Sequence, residues 1–212
     1  MKQPGLVVYD LDGVITRKDT FTALVMSRLI RSPMRIFRSL PAAVLLRSER
    51  KALASRRIAE IALSGMTDDS YSDLAERLGR RFAADAKWIR GDTVQRIRRQ
   101  HEQGARIVIA TASEHRLAHA LLAAAEIPHD LLSASHLSAT AYGFRVADHR
   151  VGDRKVEALR ELGEPIEHAE FVTDSLTDLP TAQAAARVVL IGASERTRRR
   201  FAECGVRIHD AS

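Results

Sequence analysis

Cysteine is nearly absent from this chain: its 212 residues hold one, Cys204. An internal disulfide is thereby excluded, as is a cysteine-based metal framework. Aromatic residues make up only 5%, and no stacking platform accompanies the basic charge, so nucleic acid is not expected as a partner. No stretch reaches the roughly 18 uncharged apolar residues that a membrane-spanning helix needs. Residues 1–9 carry a single Lys2 and neither a long apolar run nor a small-residue cleavage site, so no secretory leader is expected. A reducing, cytoplasmic location is the expectation.

Acidic residues are scarce in one place. Between residues 17 and 57 stand eleven basic residues (Arg17, Lys18, Arg28, Arg31, Arg35, Arg38, Arg47, Arg50, Lys51, Arg56 and Arg57) against Asp19 and Glu49, a balance of +9 where the whole chain carries +6. The rest of the protein is slightly acidic, and the positive field sits in one segment. Within it, "RLIRSPMRIFRSLPAAVLLRSERK" mixes arginine with Ile, Phe, Val and Leu, as helices lying in a membrane interface do. The plain alternative is an arginine-rich solvated surface.

What is present reads as α/β. The run Leu6, Val7, Val8, Tyr9 is apolar throughout rather than alternating, the mark of a strand buried on both faces. From Thr20 to Asp85 apolar positions recur at three and four, which predicts about four helices and no strand, broken at Pro33, Pro41 and Gly65. After Gly91, helix signals alternate with the strands "ARIVIATAS", "HDLLSA", "EFVT", "RVVLIG" and "VRIHD", and "ATAYGFRVADHR" reads as a hairpin. Such alternation implies a parallel sheet with right-handed crossovers, helices on both faces. Length allows one core with an inserted subdomain.

In sheets of this kind, reactive groups collect at the carboxyl ends of the strands. Asp10 and Asp12, Thr111 and Ser113, and Asp174 and Asp178 all follow strands directly. Carboxylates gathered at one edge repel each other unless a cation sits among them, and an all-oxygen set suits Mg²⁺. A hydroxyl at Thr111 can donate to a phosphoryl oxygen, and Lys155, at the start of a predicted helix, can neutralise further charge. Together these parts suit phosphoryl transfer to a carboxylate nucleophile. Taken singly each has an ordinary explanation. "DG" after an apolar run is a hairpin signal. Ser175 with Asp178 fits a capping box, Ser113 fits an N-cap, and Lys155 fits a solvated helix face. His115 and His119 are spaced for a metal on one helix but have no identifiable third ligand, Trp88 reads as packing, and the arginines from 196 to 200 read as a solvated face.

The order Asp-Leu-Asp-Gly-Val, a strand ending at Thr111, then Lys155, then Asp174-Ser-Leu-Thr-Asp178 resembles the four motifs of the haloacid dehalogenase superfamily. The resemblance spans residues 6 to 190. The helical insert after the first motif, with "DGVITRKDTF" and "DSLTDLP", is similar to the phosphoserine phosphatase-like subfamily with its helical cap. It implies a Rossmann-like core of residues 1–16 and 91–212 and a cap of residues 17–90. It further implies Asp10 as nucleophile, Asp12 as acid and base, Thr111, Ala112 and Lys155 on the phosphoryl group, and Mg²⁺ held by Asp10, Asp12 and Asp174 with Asp178 in support. Asp19 stands where phosphoserine phosphatases carry a glutamate that binds the substrate amine, so the resemblance does not carry phosphoserine over as the substrate.

The expectation is a Mg²⁺-dependent phosphomonoester hydrolase acting on a small-molecule or lipid or prenyl phosphate, since similar basic, Leu-rich stretches accompany lipid and prenyl substrates in this superfamily. Its basic cap is a candidate for peripheral contact with the inner membrane surface. The competing reading is a catalytically idle module of the same fold that holds a membrane or polyanion through that cap. The sequence does not speak to oligomeric state.

Overall fold

The computed structural model describes residues 5–47 and 51–209. Glu49 and Arg50 of the basic segment, and Asp210 at the end of the last predicted strand, lie outside them. The described strands form one sheet in the order β4-β3-β2-β1-β5-β6-β7: β1 (Leu6–Tyr9), β2 (Arg106–Glu114), β3 (Leu131–Thr140), β4 (Gly143–Asp148), β5 (Glu170–Thr173), β6 (Arg187–Leu190) and β7 (Ile208–His209). All neighbours pair in parallel except β3 and β4, which make the predicted hairpin. The fold is α/β with a Rossmann-like sheet.

Strand β1 sits at the centre because it can be covered on both faces. Val7 and Tyr9 point into one core with Ile107, Ile109 and Leu121. Leu6 and Val8 point into the other with Val108, Phe171 and Phe201. All four β1 side chains are buried, each contributing about 1.5–3 kcal/mol. The helices covering these faces are α5 (Gly91–Glu102), α6 (His115–Ala124), α7 (Asp153–Glu161), α8 (Leu179–Ala184) and α9 (Glu195–Glu203). Parallel pairing of β1 to β2 and β5 removes the hairpin reading of "DG".

Between β1 and α5 lie α1 (Thr20–Ile30), α2 (Pro33–Val44), α3 (Lys51–Ala62) and α4 (Asp68–Ala84). Pro33 takes the first position of α2, where its missing N–H costs nothing. Pro41 does not break the chain as its sequence suggests: it lies inside α2. Both Pro41 and Phe37, whose carbonyl it cannot bond, are exposed, so the missing bond falls on the solvent side of the helix. Gly65, at φ 73°, ends the turn after α3, and Thr67 caps α4 by accepting from Ser70 N.

Helix α4 is anchored on α6. Gly79 lies so close to it that a Cβ would stand 2.7 Å from Ala120 Cβ. Tyr71 donates to Glu114 at 2.6 Å and Arg116 pairs with Asp68 at 2.7 Å. The turn after α3 rests on the hairpin, Gly65 N donating to Tyr142 O at 2.9 Å.

Candidate active site

The sheet order changes direction at β1, whose neighbours β2 and β5 are far apart in sequence, so a crevice opens beyond its carboxyl end. The chain leaves β1 at Asp10, whose N–H bonds Val172 O at 2.9 Å, and turns tightly, with Ile15 and Thr16 N–H groups both returning to Leu11 O. Leu11, Val14 and Ile15 are fully buried and fix this turn. Gly13 is required in it: φ is 83°, and a Cβ there would fall 2.0 Å from Asp174 Oδ2. Arg90 Nε braces the turn from α5's N-terminus, donating to Gly13 O at 3.0 Å.

A cavity of about 260 Å³ is lined by Asp10, Asp12, Ala112, Lys155, Asp174 and Asp178, with Arg17, Lys18 and Asp19 also on its wall. Of the seven residues to which the resemblance gives catalytic, phosphoryl-binding or metal-binding roles, six therefore share one cavity. Thr111 is the exception: it is fully buried, and its hydroxyl accepts from Ser113 N at 3.0 Å. The pairing of β2 with β3 shifts register between Thr111 and Glu114, and such a bulge re-aims the residues that follow it.

Lys155 is the hub. It is 1% exposed, and its Nζ lies 2.7 Å from Asp178 Oδ1 and 3.2 Å from Asp10 Oδ1, so the solvated-lysine reading is wrong. Burial works to strip its proton, but the two carboxylates outweigh burial and raise its pKa. Asp178 also accepts from Thr173 Oγ1 at 2.7 Å. Ser175 caps the short 3₁₀ turn at residues 176–178, accepting from Thr177 N, but the capping box is not formed, because Ser175 N donates to Thr173 Oγ1 and the Asp178 carboxylate turns to Lys155 and Thr173.

Asp12 is held by hydroxyls. Ser113 Oγ donates to its Oδ2 at 2.6 Å, while Thr20 N and Thr20 Oγ1 donate to its Oδ1 at 2.8 and 2.9 Å. Ser113 is thus not the N-cap of α6; Glu114 is, accepting from Leu117 N. Thr20, Ser113 and Arg90 are the site residues whose roles sequence reading missed. Thr20 and Arg90 leave no local signal, because each meets its partner only through the turn after β1.

The basin penalises negative charge. Burial raises the Asp10 carboxyl well above its ordinary range despite Lys155. Burial and then Asp19 push Asp12 up to about 6, against the Ser113 and Thr20 hydrogen bonds. Burial and then Asp178 push Asp174 up to about 6. Among the described residues, no three His, Cys, Asp or Glu side chains already converge as a metal cage. Mg²⁺ asks less than that: it binds through one or two carboxylates, waters and substrate phosphate. The carboxyl oxygens of Asp10, Asp12 and Asp174, disfavoured as anions chiefly by burial, form a donor set that fits such an ion.

Asp19 caps α1 by accepting from Thr22 N at 2.6 Å, and Lys18 lies over the Trp88 ring, itself stacked on Phe82. His115 lies against His119 and His136 in ring stacks 6.3 and 5.1 Å apart.

The chain belongs to the haloacid dehalogenase-like hydrolases, whose family model matches residues 7–183. No curated protein sequence matches it. Among solved structures it is similar to a Bordetella pertussis Tohama I protein of unknown function, at 16% identity and TM-score 0.74, covering 98% of this chain and 99% of that one. A phosphoserine phosphohydrolase-like protein from Francisella tularensis is similar at 14% identity and TM-score 0.66, covering 99% and 95%. A phospho-aspartyl intermediate analogue of phosphoserine phosphatase is similar at 10% identity and TM-score 0.62, covering 94% and 91%. These likenesses are of fold.

Proposed function

We propose that the protein hydrolyses phosphomonoesters through an aspartyl-phosphate at Asp10, within a core of residues 1–16 and 91–212 capped by residues 17–90. The observation that carries this reading is the pairing of Asp10 with buried Lys155 beside Asp12 in one cavity. Asp10 attacks phosphorus, the bond from phosphorus to the ester oxygen breaks, and Asp12 gives its proton to that leaving oxygen. Water then attacks the same phosphorus, Asp12 takes the proton, and inorganic phosphate leaves with Asp10 restored. Lys155 offsets the charge that gathers on Asp10 and the phosphoryl oxygens. Ala112, on the cavity wall at the re-aimed end of β2, would bind the phosphoryl group, while Thr111, buried beside it, would hold that strand end by accepting from Ser113 N. The phospho-aspartyl analogue known for a protein of similar fold supports this route.

Asp10, Asp174 and the backbone carbonyl of Asp12, with Asp178 in support, would hold Mg²⁺. When bound, it supplies charge that draws the phosphoryl oxygens in and lowers the barrier to attack. Mg²⁺ is expected to raise the melting temperature of the wild type, and far less that of Asp174→Asn, by cancelling repulsion among the carboxylates. A thermal shift in which Asp174→Asn gains as much as wild type places the ion elsewhere.

If Asp12 is the proton donor, the hydroxyls that hold it matter to turnover. Ser113→Ala is expected to lower kcat by about ten- to a hundredfold with KM little changed, and Ser113→Thr to restore most of it. Alkyl phosphates, whose poor leaving oxygen needs the proton, should suffer more than p-nitrophenyl phosphate. Equal losses on both substrates would remove Ser113 from that role. Phosphate release from a panel of small phosphomonoesters, sugar phosphates, nucleotides and lipid phosphates, with Mg²⁺ and with EDTA, tests the function itself. Release that depends on Mg²⁺ and on Asp10 is expected; a wild type that releases none overturns it.

A further inference from the structure

Helix α2 faces the wrong way for a core helix. Its inward residues are the small Ser39 and Ala42, while Met34, Phe37, Leu40 and Val44 are 67%, 71%, 51% and 78% exposed. Their spacing of three, three and four makes one continuous stripe along the helix, and exposed Ile30 extends it onto the end of α1. Exposed apolar stripes of this size mark contact with a partner or a membrane.

The charge around the stripe narrows the choice. From Thr20 to Ser48 the chain has no Asp or Glu, but it has Arg28, Arg31, Arg35, Arg38 and Arg47. Arg31, the C-cap of α1, and Arg38, on α2, are both exposed, and Arg38 follows Met34 by four residues and so lies beside the stripe on α2. Arg28 and Arg35 turn inward to the carbonyls of Ala62 and Ser64, at 3.5 and 3.1 Å. Burial, with Arg35 and Arg31 close by, lowers the pKa of Arg28, so positive charge crowds here. A second copy of this chain is a poor occupant, because a two-fold contact on α2 would set arginine against arginine without a carboxylate to intervene.

We propose that α2 docks on an anionic lipid surface, with Phe37, Val44 and their neighbours among the acyl chains and Arg31 and Arg38 on the headgroups. Apolar area and arginine attraction then act together, as interfacial helices require. Helix α1, eleven residues and so roughly 16 Å long, joins α2 to the cavity wall at Asp19. A docked α2 therefore holds the cavity close to the bilayer. Resting on the phosphomonoesterase reading, this deepens it: the substrate class is a phosphomonoester carried in the membrane.

Co-sedimentation with vesicles of phosphatidylcholine containing phosphatidylglycerol, beside vesicles of phosphatidylcholine alone, tests the docking without any turnover. Wild type and Asp10→Asn are both expected to sediment with the anionic vesicles and to be released by salt. Phe37→Glu/Val44→Glu should lower the apparent affinity on the order of a hundredfold, and Arg31→Glu/Arg38→Glu should abolish the preference for phosphatidylglycerol. Both variants should keep wild-type activity on soluble p-nitrophenyl phosphate. Wild type left in the supernatant, or variants that sediment like wild type, overturn the docking. A wild-type dimer in solution that Phe37→Glu splits also overturns it, in favour of a self-contact. Vesicle binding by a protein that hydrolyses nothing keeps the docking and removes the phosphomonoesterase.

Discussion

Asp10→Asn is expected to reduce Mg²⁺-dependent phosphate release by about four orders of magnitude while leaving the fold intact. An amide of nearly the same shape cannot attack phosphorus, so the covalent route closes. The structure tolerates the change for a specific reason. Lys155 loses one partner at 3.2 Å but keeps Asp178 at 2.7 Å, and Asp10 itself bears a carboxyl that burial already disfavours as an anion. Urea unfolding should therefore give nearly the wild-type midpoint. Activity lost together with the fold would make Asp10 a structural residue; activity retained would make it a bystander.

Lys155→Ala is expected to do the reverse damage, to stability and activity at once. It strips the only cation within salt-bridge reach of both Asp10 and Asp178 among the described residues, and Asp178 is 1% exposed. Removing one member of a buried charge set typically costs about 3–5 kcal/mol, because the remaining charge is stranded. Asp178→Asn in the Lys155→Ala background should recover part of that loss, since it removes the stranded carboxylate. Urea melts of the two single variants and the double variant measure the coupling directly. Additive losses would contradict the view that these groups act as one unit.

Much of this was legible in the sequence, for identifiable reasons. The apolar run before Asp10 predicted a strand buried on both faces, and the residues that leave such strands converge at one edge whatever else the chain does. Asp10, Asp12, Ala112, Asp174 and Asp178 meet in the cavity on that logic, and Lys155 joins them from the first turn of α7. What escaped depends on side-chain direction. Ser113 could as well cap α6 as hold Asp12, and only the bulge at the end of β2 decides between them. The burial of Glu170 in "EFVT" is possible because Arg96 and Arg187, distant in sequence, pair with it at 2.8 and 2.9 Å. Pro41 misled because the cost of a proline inside a helix depends on where its lost bond falls, and here it falls on the exposed face of α2. The inverted face of α2 was visible as a mixture of arginine and large apolar residues, but which of them point outward is a property of the packed helix.

The most direct test is to quench the wild type during turnover of a phosphomonoester with Mg²⁺, reduce the mixture with borohydride, and locate the modified residue by peptide mass spectrometry. An acyl phosphate on a side-chain carboxylate is reduced to an alcohol, so modification at residue 10 alone, appearing with substrate and vanishing in EDTA, is the predicted result. Steady turnover with residue 10 unmodified, or modification at another carboxylate, would contradict Asp10 as the nucleophile.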